Sequence, residues 1–350
     1  MKVKNLLSNF VLAATLVLFF SSCSEDLVMD TPPEIAQESL MPELKSTSNN
    51  YKFGVAGTAL GSPAYYNVPY KEQMAMLKKM GMNVYKFQIR TMADGRTTVP
   101  WRFEPFVKAA KEAGITLLPM LYHKDLDFSV SNSESYQRGK RVGKNFAKHY
   151  KDIFTYYELG NELNLKCIIP GSAGKTAKSY DMKKFKTIAA YLKGMNDGIK
   201  SEDPDAKTMI NSTWLHYGYL KMLENHGINF DIIAYHWYSE MDEVAKRDWG
   251  IDDVIAGLAK TFNKPIWFTE IGQRYERVSD IEKKQYDFIS QFLERCRKHP
   301  RVEAAIVFQL FDQPEKNSLL ESNYGIVKWI SPYTKYAYKL TAKKFMEKQH

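Results

Sequence analysis

Short apolar runs alternate with longer amphipathic segments at a steady interval from residue 51 to the end of the chain. Eight strand–helix units can be counted, and such repeats form parallel sheets covered by helices. Strands are predicted near 52–57, 83–90, 115–122, 154–162, 207–214, 230–238, 265–271 and 303–311. Eight units favour an α/β fold closed into a TIM (β/α)8 barrel. A doubly wound open sheet is the alternative, but no glycine-rich phosphate loop follows the first strand.

Amphipathic helices are predicted between these strands, among them 70–80, 103–113, 135–150 and 281–298, with a last helix at about 333–347. Gly81, Gly114 and Gly227 stand just before predicted strands and are expected to cap the preceding helices. At 350 residues, of which 44% are hydrophobic, the chain is long enough for one barrel domain plus extensions.

The N-terminus has the pattern of an export signal. Lys2 and Lys4 precede an apolar stretch, 10–20, that is too short to span a membrane. The small residues before Cys23 resemble a bacterial lipoprotein processing box, although Phe20 departs from the usual aliphatic residue. We therefore expect residues 1–22 to be a signal peptide and Cys23 to be lipidated; ordinary secretion is the alternative. The following 24–26, Ser-Glu-Asp, resembles a surface-export signal of Bacteroides-like bacteria.

These features predict a cell-envelope protein anchored by lipid at Cys23, in the outer membrane, on either its surface or its periplasmic face. Residues 23–50 contain proline and a polar run without periodicity, which predicts a flexible linker, and 51–348 form the predicted catalytic domain. Cys167 would lie at the top of the barrel and Cys296 late in a helix that runs to the bottom. No disulfide is expected between them.

The net charge of +9 raises the question of nucleic-acid binding. Lys and Arg residues are spread along predicted helices such as 138–151 and 183–200, as on solvated helix faces. We therefore expect no nucleic-acid partner. The protein is also expected to be monomeric. No group of His, Asp and Glu shows the spacing of metal ligands, so no metal or cofactor is expected.

Two glutamates mark the predicted chemistry. Glu162 closes an aromatic-rich run at the end of the fourth strand, and Glu270 ends a similar run on the seventh. Barrel enzymes keep their chemistry at the C-terminal ends of strands. Two carboxylates that face one cleft are the minimal machinery for cleaving a glycosidic bond. Period-two alternation would also place Glu158 on the same face, but deeper in the barrel.

The combination of motifs is more specific than either glutamate. Gly160-Asn161-Glu162, His236-Trp237-Tyr238 and Thr269-Glu270 resemble the retaining glycoside hydrolases of clan A, the four-over-seven barrel superfamily. The resemblance covers essentially all of 51–348. It implies that Glu162 is the general acid/base and Glu270 the nucleophile. It also implies that Asn161 binds the sugar 2-hydroxyl, that Arg90 and Tyr238 keep Glu270 ionised, and that His123 and His236 complete the polar floor.

Each assignment has a structural alternative. Glu158 is expected to be a barrel-interior group paired with Lys86 or Arg90, and the two histidines could equally belong to the core. Trp214, Trp237 and Trp249 could stack on sugars or simply pack. Many clan members carry a tryptophan at the end of strand eight. This chain has none, and Phe311 or Gln309 is expected in its place.

The resemblance implies hydrolysis of β-linked poly- or oligosaccharides with retention, without choosing the sugar. Two alternatives share the fold: a non-catalytic glycan-binding lipoprotein, and a transglycosylase that uses the same residues. The loops 58–69, 163–181 and 312–332 would decide between endo and exo action, and their shapes cannot be read from the sequence.

Overall fold

A computed structural model describes residues 51–124, 126–274 and 280–348. The predicted signal peptide, Cys23 and the linker lie outside the described residues. Eight parallel strands form the barrel, here numbered β1 to β8: Lys52–Gly57, Val84–Thr91, Thr116–Tyr122, Tyr156–Leu159, Lys207–Thr213, Ile232–Tyr238, Ile266–Gly272 and Val302–Val307. Each strand pairs with the next, and β1 pairs with both β2 and β8. The sheet is therefore closed, which confirms the TIM barrel.

Helices follow the strands around the outside of the barrel. Their bounds are Pro63–Tyr66, Tyr70–Lys79, Phe103–Ala113, Asn132–Tyr150, Asn164–Cys167, Met182–Glu202, Tyr217–Asn225, Ser239–Trp249, Val254–Thr261, Ile281–Lys298, Leu319–Ser322 and Leu340–Glu347. A short 3-10 turn spans Ala177–Ser179, and Thr97–Thr98 adds a short antiparallel strand to β2. Among the described residues, no helix combines the length and apolar character needed to cross a bilayer.

Local signals explain where the helices begin and end. The Ser131 hydroxyl accepts a hydrogen bond from the Glu134 backbone N–H, and Asp181 caps the helix that follows β4 in the same way. Gly81, Gly114 and Gly227 adopt positive φ angles of 70°, 66° and 72°. Because only glycine takes this conformation without a steric penalty, the predicted helix ends are confirmed.

The last predicted helix is wrong in its first half. Residues Val327–Ser331 and Lys335–Tyr338 pair as an antiparallel hairpin, and the helix begins only at Leu340. The aromatic residues of this segment pack against each other across the hairpin: Trp329 and Tyr336 have ring centroids 6.1 Å apart. Alternating aromatic residues favour a strand over a helix, and helical periodicity alone did not separate the two.

Apolar side chains pack in two layers. The outer layer lies between the strands and the helices and contains the larger hydrophobic cluster. Inside the barrel, a smaller cluster around Met209, Trp267 and Ile306 fills the lower part. Above it the interior becomes polar, with Lys86, Glu158 and His236 each no more than 2% exposed. This change from apolar to charged residues marks where the barrel stops being a packed core.

Candidate active site

The two glutamates reach the same cleft by different backbone devices. Strand β4 ends at Leu159, so alternation does not carry Glu162 inward as predicted. Instead Gly160 and Glu162 adopt positive φ angles of 78° and 47°, which turn the chain over the barrel mouth. The Glu162 backbone N–H donates to the Asn211 side-chain oxygen at 2.6 Å and secures this turn. Asn211, on β5, therefore positions the loop that carries Glu162.

Glu270 is aimed inward by an irregularity in β7. The register with β6 shifts between Tyr235 and His236, so that His236 lies opposite Glu270. Such a bulge interrupts the strict alternation of side chains. As a result Thr269 and Glu270, neighbours in the chain, both place polar atoms inside the barrel.

The carboxyl groups are close enough to act on one bond. One oxygen of Glu162, a ring nitrogen of His236 and one oxygen of Glu270 lie within 4.8 Å of one another. Both glutamates line a cleft of about 400 Å³ together with Asn161 and Tyr238. The Glu162 side chain is 24% exposed and that of Glu270 only 9%. One carboxyl group is therefore open to solvent and the other is enclosed.

Glu270 is surrounded by donors. Lys86 Nζ lies 3.0 Å from Oε1, and the Tyr238 hydroxyl donates to Oε2 at 2.6 Å. Burial alone would raise the pKa of Glu270, but His236, Lys86 and the Tyr238 hydroxyl outweigh it and lower that pKa. Burial and Glu270 raise the pKa of Tyr238 well above its ordinary value, so its O–H stays a donor. The enclosed carboxylate is thereby held ionised.

His236 links the two glutamates. Its Nδ1 lies 2.9 Å from Glu162 Oε1 and 3.5 Å from Glu270 Oε2, while Nε2 lies 3.2 Å from Lys86 Nζ. Burial and Lys86 lower the pKa of His236, but Glu270 and the other carboxylates outweigh them and raise it to about 9. The imidazole Nδ1–H therefore donates to Glu162 and fixes one oxygen of that side chain.

Glu158 is the structural counter-charge that the sequence predicted. It lies deeper, fully buried, with Oε2 2.9 Å from Lys86 Nζ. Oε1 accepts from Asn211 at 2.9 Å and from the Thr269 hydroxyl at 2.8 Å. Burial opposes ionisation, yet Lys86 and His236 hold the pKa of Glu158 at about 2. A carboxylate buried this deeply and paired with Lys86 cannot reach a substrate.

Asn161 and Trp214 lie where a sugar could touch them. Both line the cleft. Asn161 Oδ1 is buried, yet within the described part of the chain it has no hydrogen-bond partner. Because buried polar atoms are normally paired, this oxygen is a ready acceptor for a ligand hydroxyl.

Several expected site residues lie elsewhere. Arg90 is exposed at the end of β2, away from the cleft lining, and Lys86, two steps of alternation earlier, takes its expected place beside Glu270. His123 packs with its ring 6.1 Å from that of Tyr191 and is not among the residues that line the cleft. Trp237 points outward from β6, fully buried, and donates to Asp242 at 3.0 Å. Alternation explains this last case, because His236 and Tyr238 occupy the inner face.

The end of β8 also differs from the expectation. Phe311 is fully buried, 5.6 Å from Trp329 in a stacked arrangement, and the Gln309 side chain accepts from the Tyr65 hydroxyl at 3.1 Å. Phe308, directly after β8, lines the cleft instead. The prediction placed the aromatic residue three positions too late because it extended the strand to 311, whereas β8 ends at Val307.

Sequence reasoning missed three contributors. Lys86 was expected to pair with Glu158 but not also with Glu270; its inward position on β2 was the available signal. Asn211 belongs to none of the sequence motifs that marked the site. Tyr324 comes from the loop after β8, and its ring lies 5.4 Å from that of Tyr238. Loop residues of this kind give no periodic signal.

Glu162, His236 and Glu270 are also close enough to share a metal ion. A metal-bound histidine must be deprotonated on the ligating nitrogen. Here Nδ1 lies 2.9 Å from Glu162 Oε1, and Lys86 supplies a cation 3.0 Å from Glu270. Glu162 and Glu270 thus each already have a donor or a cation of the protein beside them.

Cys167 and Cys296 are both free and buried, which agrees with the absence of a disulfide between them.

Comparison with known proteins adds a family signal. Residues 181–333 match the family model described as glycosyl hydrolase catalytic core. This segment contains His236, Tyr238 and Glu270 but not Glu162. A stretch of 101 residues is 29% identical to beta-glucosidase 44 of Arabidopsis thaliana, covering 27% of this chain and 19% of that protein. The chain therefore matches only about a fifth of the length of this curated relative.

Solved structures share the fold at low identity. A family 1 β-glucosidase from Thermotoga maritima has a TM-score of 0.62 and 15% identity over 87% of this chain and 98% of its own. A family 39 glycoside hydrolase from the gut symbiont Bacteroides cellulosilyticus WH2 has a TM-score of 0.58 and 13% identity, over 85% of this chain and 64% of its own. The shared fold and the family model together support a glycoside hydrolase.

Proposed function

We propose that this chain is a retaining glycoside hydrolase that cleaves β-linked glycans by double displacement, with Glu162 as acid/base and Glu270 as nucleophile. The observation that carries the proposal is the pair of carboxyl groups with oxygens within 4.8 Å of each other. Retaining enzymes keep the two groups about 5 to 5.5 Å apart, whereas inverting enzymes leave about 6.5 to 9.5 Å for a water molecule. The fold and family similarities are compatible with this mechanism, and the linkage is part of the proposal.

In the first step the Glu270 carboxylate attacks the anomeric carbon while Glu162 donates its proton to the leaving oxygen. The glycosidic bond breaks, a covalent glycosyl–Glu270 ester forms, and the alcohol departs. Lys86 and Tyr238 keep Glu270 ionised before the attack. The unpaired Asn161 oxygen would accept a hydrogen bond from the sugar 2-hydroxyl, which strengthens as positive charge develops.

In the second step a water molecule enters on the open side of the cleft. Glu162, now ionised, removes its proton as the water oxygen attacks the anomeric carbon and Glu270 leaves. The 24% exposure of the Glu162 side chain suits a group that must meet both a departing alcohol and an entering water. Its contact with the His236 N–H leaves the second carboxyl oxygen to carry the proton.

The test uses activated aryl β-glycosides of several sugars. Replacing Glu270 by Gln should abolish turnover, by about 10⁴-fold or more, and Glu162→Ala should recover activity when azide is added. Azide would take the place of the water and give the β-glycosyl azide, the product of retention. Glu112→Gln, an exposed helix residue, is the matched control and should behave as wild type. Full activity of Glu270→Gln would refute the assignment.

We further propose that the mature protein is anchored by lipid at Cys23 in the outer membrane, as the N-terminal sequence predicts. Metabolic labelling with a radioactive fatty acid in a bacterial host should mark wild type and not Cys23→Ser. Label on both proteins, or on neither, would contradict lipidation at this residue. Protease treatment of intact cells would then distinguish the outer surface from the periplasmic face.

A further inference from the structure

A second hollow adjoins the catalytic cleft. It has a volume of about 430 Å³ and shares Leu165, Trp214 and Met241 with the cleft lining. Its other walls come from 168–173, Leu215, His216, Val244, Ala245 and Trp249. These segments follow β4, β5 and β6, and none of the described residues after β7, β8 or β1 lines it. The hollow therefore lies on the Glu162 side of the cleft and away from Glu270.

The hollow differs chemically from the cleft. Its described lining residues are apolar except for Ser172 and His216, and no acidic, lysine or arginine side chain is among them. The cleft, by contrast, is lined by Asn161, several glutamates and Lys316. Burial lowers the pKa of His216 to about 4, so this ring is neutral at ordinary pH. A sugar placed here would leave most of its hydroxyl groups unpaired, which is costly.

Large apolar side chains stand exposed around the hollow. Leu165 and Ile169 are 42% exposed and Trp249 is 43% exposed. Lys175 Nζ lies 5.1 Å from the Trp249 ring centroid and supports one face of the indole. Exposed apolar groups that converge on one concave surface indicate a binding site more often than packing.

The wall between cleft and hollow is held in an unfavourable conformation. Trp214 has a φ of 56°, a region that bulky residues rarely occupy, and its carbonyl accepts a hydrogen bond from the Tyr235 hydroxyl at 2.6 Å. Strain of this kind persists where the surroundings impose it, and it concentrates at functional sites. The indole is thereby kept between the two spaces.

We infer that the hollow binds the leaving group of the substrate and that this group is an apolar, aromatic or alkyl, aglycone. The inference rests on the proposed function, because it is the proton of Glu162 that the leaving oxygen receives. That oxygen must face Glu162, so whatever is attached to it extends to the Glu162 side. Leu165, three residues after Glu162, lines both the cleft and the hollow on that side.

The first arm of the test needs no catalysis. Binding of the free aryl alcohol 4-methylumbelliferone is followed by saturation-transfer NMR on the protein and on Trp249→Ala and Ile169→Ser. Both replaced residues are exposed, so both variants should fold. Each should weaken binding by about tenfold, while Trp101→Ala, an exposed tryptophan outside both spaces, should not.

The second arm compares methyl and octyl β-glycosides of the sugar that the aryl panel selects. The two leaving alcohols have similar acidity and differ mainly in apolar size. Wild type should show kcat/KM at least about tenfold higher for the octyl compound, and Trp249→Ala should remove most of that preference. An unchanged preference, or umbelliferone binding that does not depend on Trp249 and Ile169, would overturn the inference while leaving the proposed hydrolase intact. If wild type hydrolyses none of the aryl or alkyl glycosides, the proposed function and the leaving-group role are overturned together, whatever the first arm shows.

Discussion

Lys86 is the buried cation that pairs with two carboxylates inside the barrel. Its ammonium lies 2.9 Å from Glu158 and 3.0 Å from Glu270, and the lysine is only 2% exposed. Lys86→Met keeps the approximate length and the apolar stem but removes the charge. Two carboxylates would then share the interior with His236 as their remaining cation. One of the carboxyl groups must take up a proton or drive a rearrangement.

The size of the effect follows from these contacts. Two unit charges 3.0 Å apart interact by about 5.5 kcal/mol at an effective dielectric constant of 20. The cost of burying the charges offsets part of this attraction. Removing one partner of a buried pair typically costs about 3 to 5 kcal/mol. At about 2 °C per kcal/mol for a domain of this size, Tm should fall by about 6 to 10 °C.

The diagnostic result is the pH dependence of activity. Lys86 helps to lower the pKa of Glu270, so its removal should raise that pKa and leave less ionised nucleophile at low pH. The acidic limb of kcat/KM should move to higher pH, with the largest loss of activity at acidic pH and partial recovery in alkaline buffer. Stopped-time assays on an activated aryl glycoside across the pH range, with thermal unfolding in parallel, measure both effects.

Lys339→Met is the matched control. This lysine is 7% exposed and lies 2.9 Å from Asp312, outside the catalytic pair. It should lose comparable stability without moving the acidic limb. A wild-type profile in Lys86→Met would refute the reasoning. If that variant fails to fold, the double variant Lys86→Met/Glu158→Gln restores charge balance and must still show the displaced limb.

Three further predictions concern the same site. Tyr238→Phe removes the hydroxyl 2.6 Å from Glu270 and should lower kcat/KM by about 10- to 100-fold, with little change in Tm; an unchanged rate would contradict its role. Asn211→Ala removes the acceptor of the Glu162 backbone N–H and should lower kcat more than it changes KM; an effect on KM alone would argue against positioning. The pKa of His236 is raised from 6.5 to about 9, so its stabilising contribution is fully present below about pH 6.5 and is lost as pH rises through 9. The free energy of unfolding, measured with urea, should decrease by an amount on the order of 3 kcal/mol over that pH interval. A free energy of unfolding that does not change with pH would contradict this contribution of His236.

The barrel could be predicted closely because its signals are local. Apolar strands and amphipathic helices differ in period, and glycines such as Gly114 mark helix ends by steric necessity. Strand β1 and the helices Phe103–Ala113 and Ile281–Lys298 agree with their predicted bounds to the residue. The hairpin at 327–338 was missed because an aromatic segment of mixed period fits either structure.

The motifs singled out Glu162 and Glu270, which share one cleft, but not the residues that surround them. Alternation correctly placed Glu158 inside the barrel. The same rule explains why Trp237 lies outside it. Arg90 was favoured over Lys86 beside Glu270 because the resemblance points to an arginine at that strand end. The choice depends on how deeply each side chain sits, and depth is set by the tilt and pairing of all eight strands.

By itself, the sequence determined the periodic elements, the parallel order of eight units and the two glutamates at strand ends, since each depends on residues near one another in the chain. Only the tertiary structure decided which groups surround those glutamates. Lys86, His236 and Tyr238 come from two strands, up to 152 positions apart in the chain, and no local pattern records that they meet at Glu270. The bulge in β7 and the left-handed turn at Glu162 likewise exist because the closed barrel and its hydrogen bonds hold them in place. Charge balance in a buried site is a property of three-dimensional neighbours, and only the folded barrel brings them together.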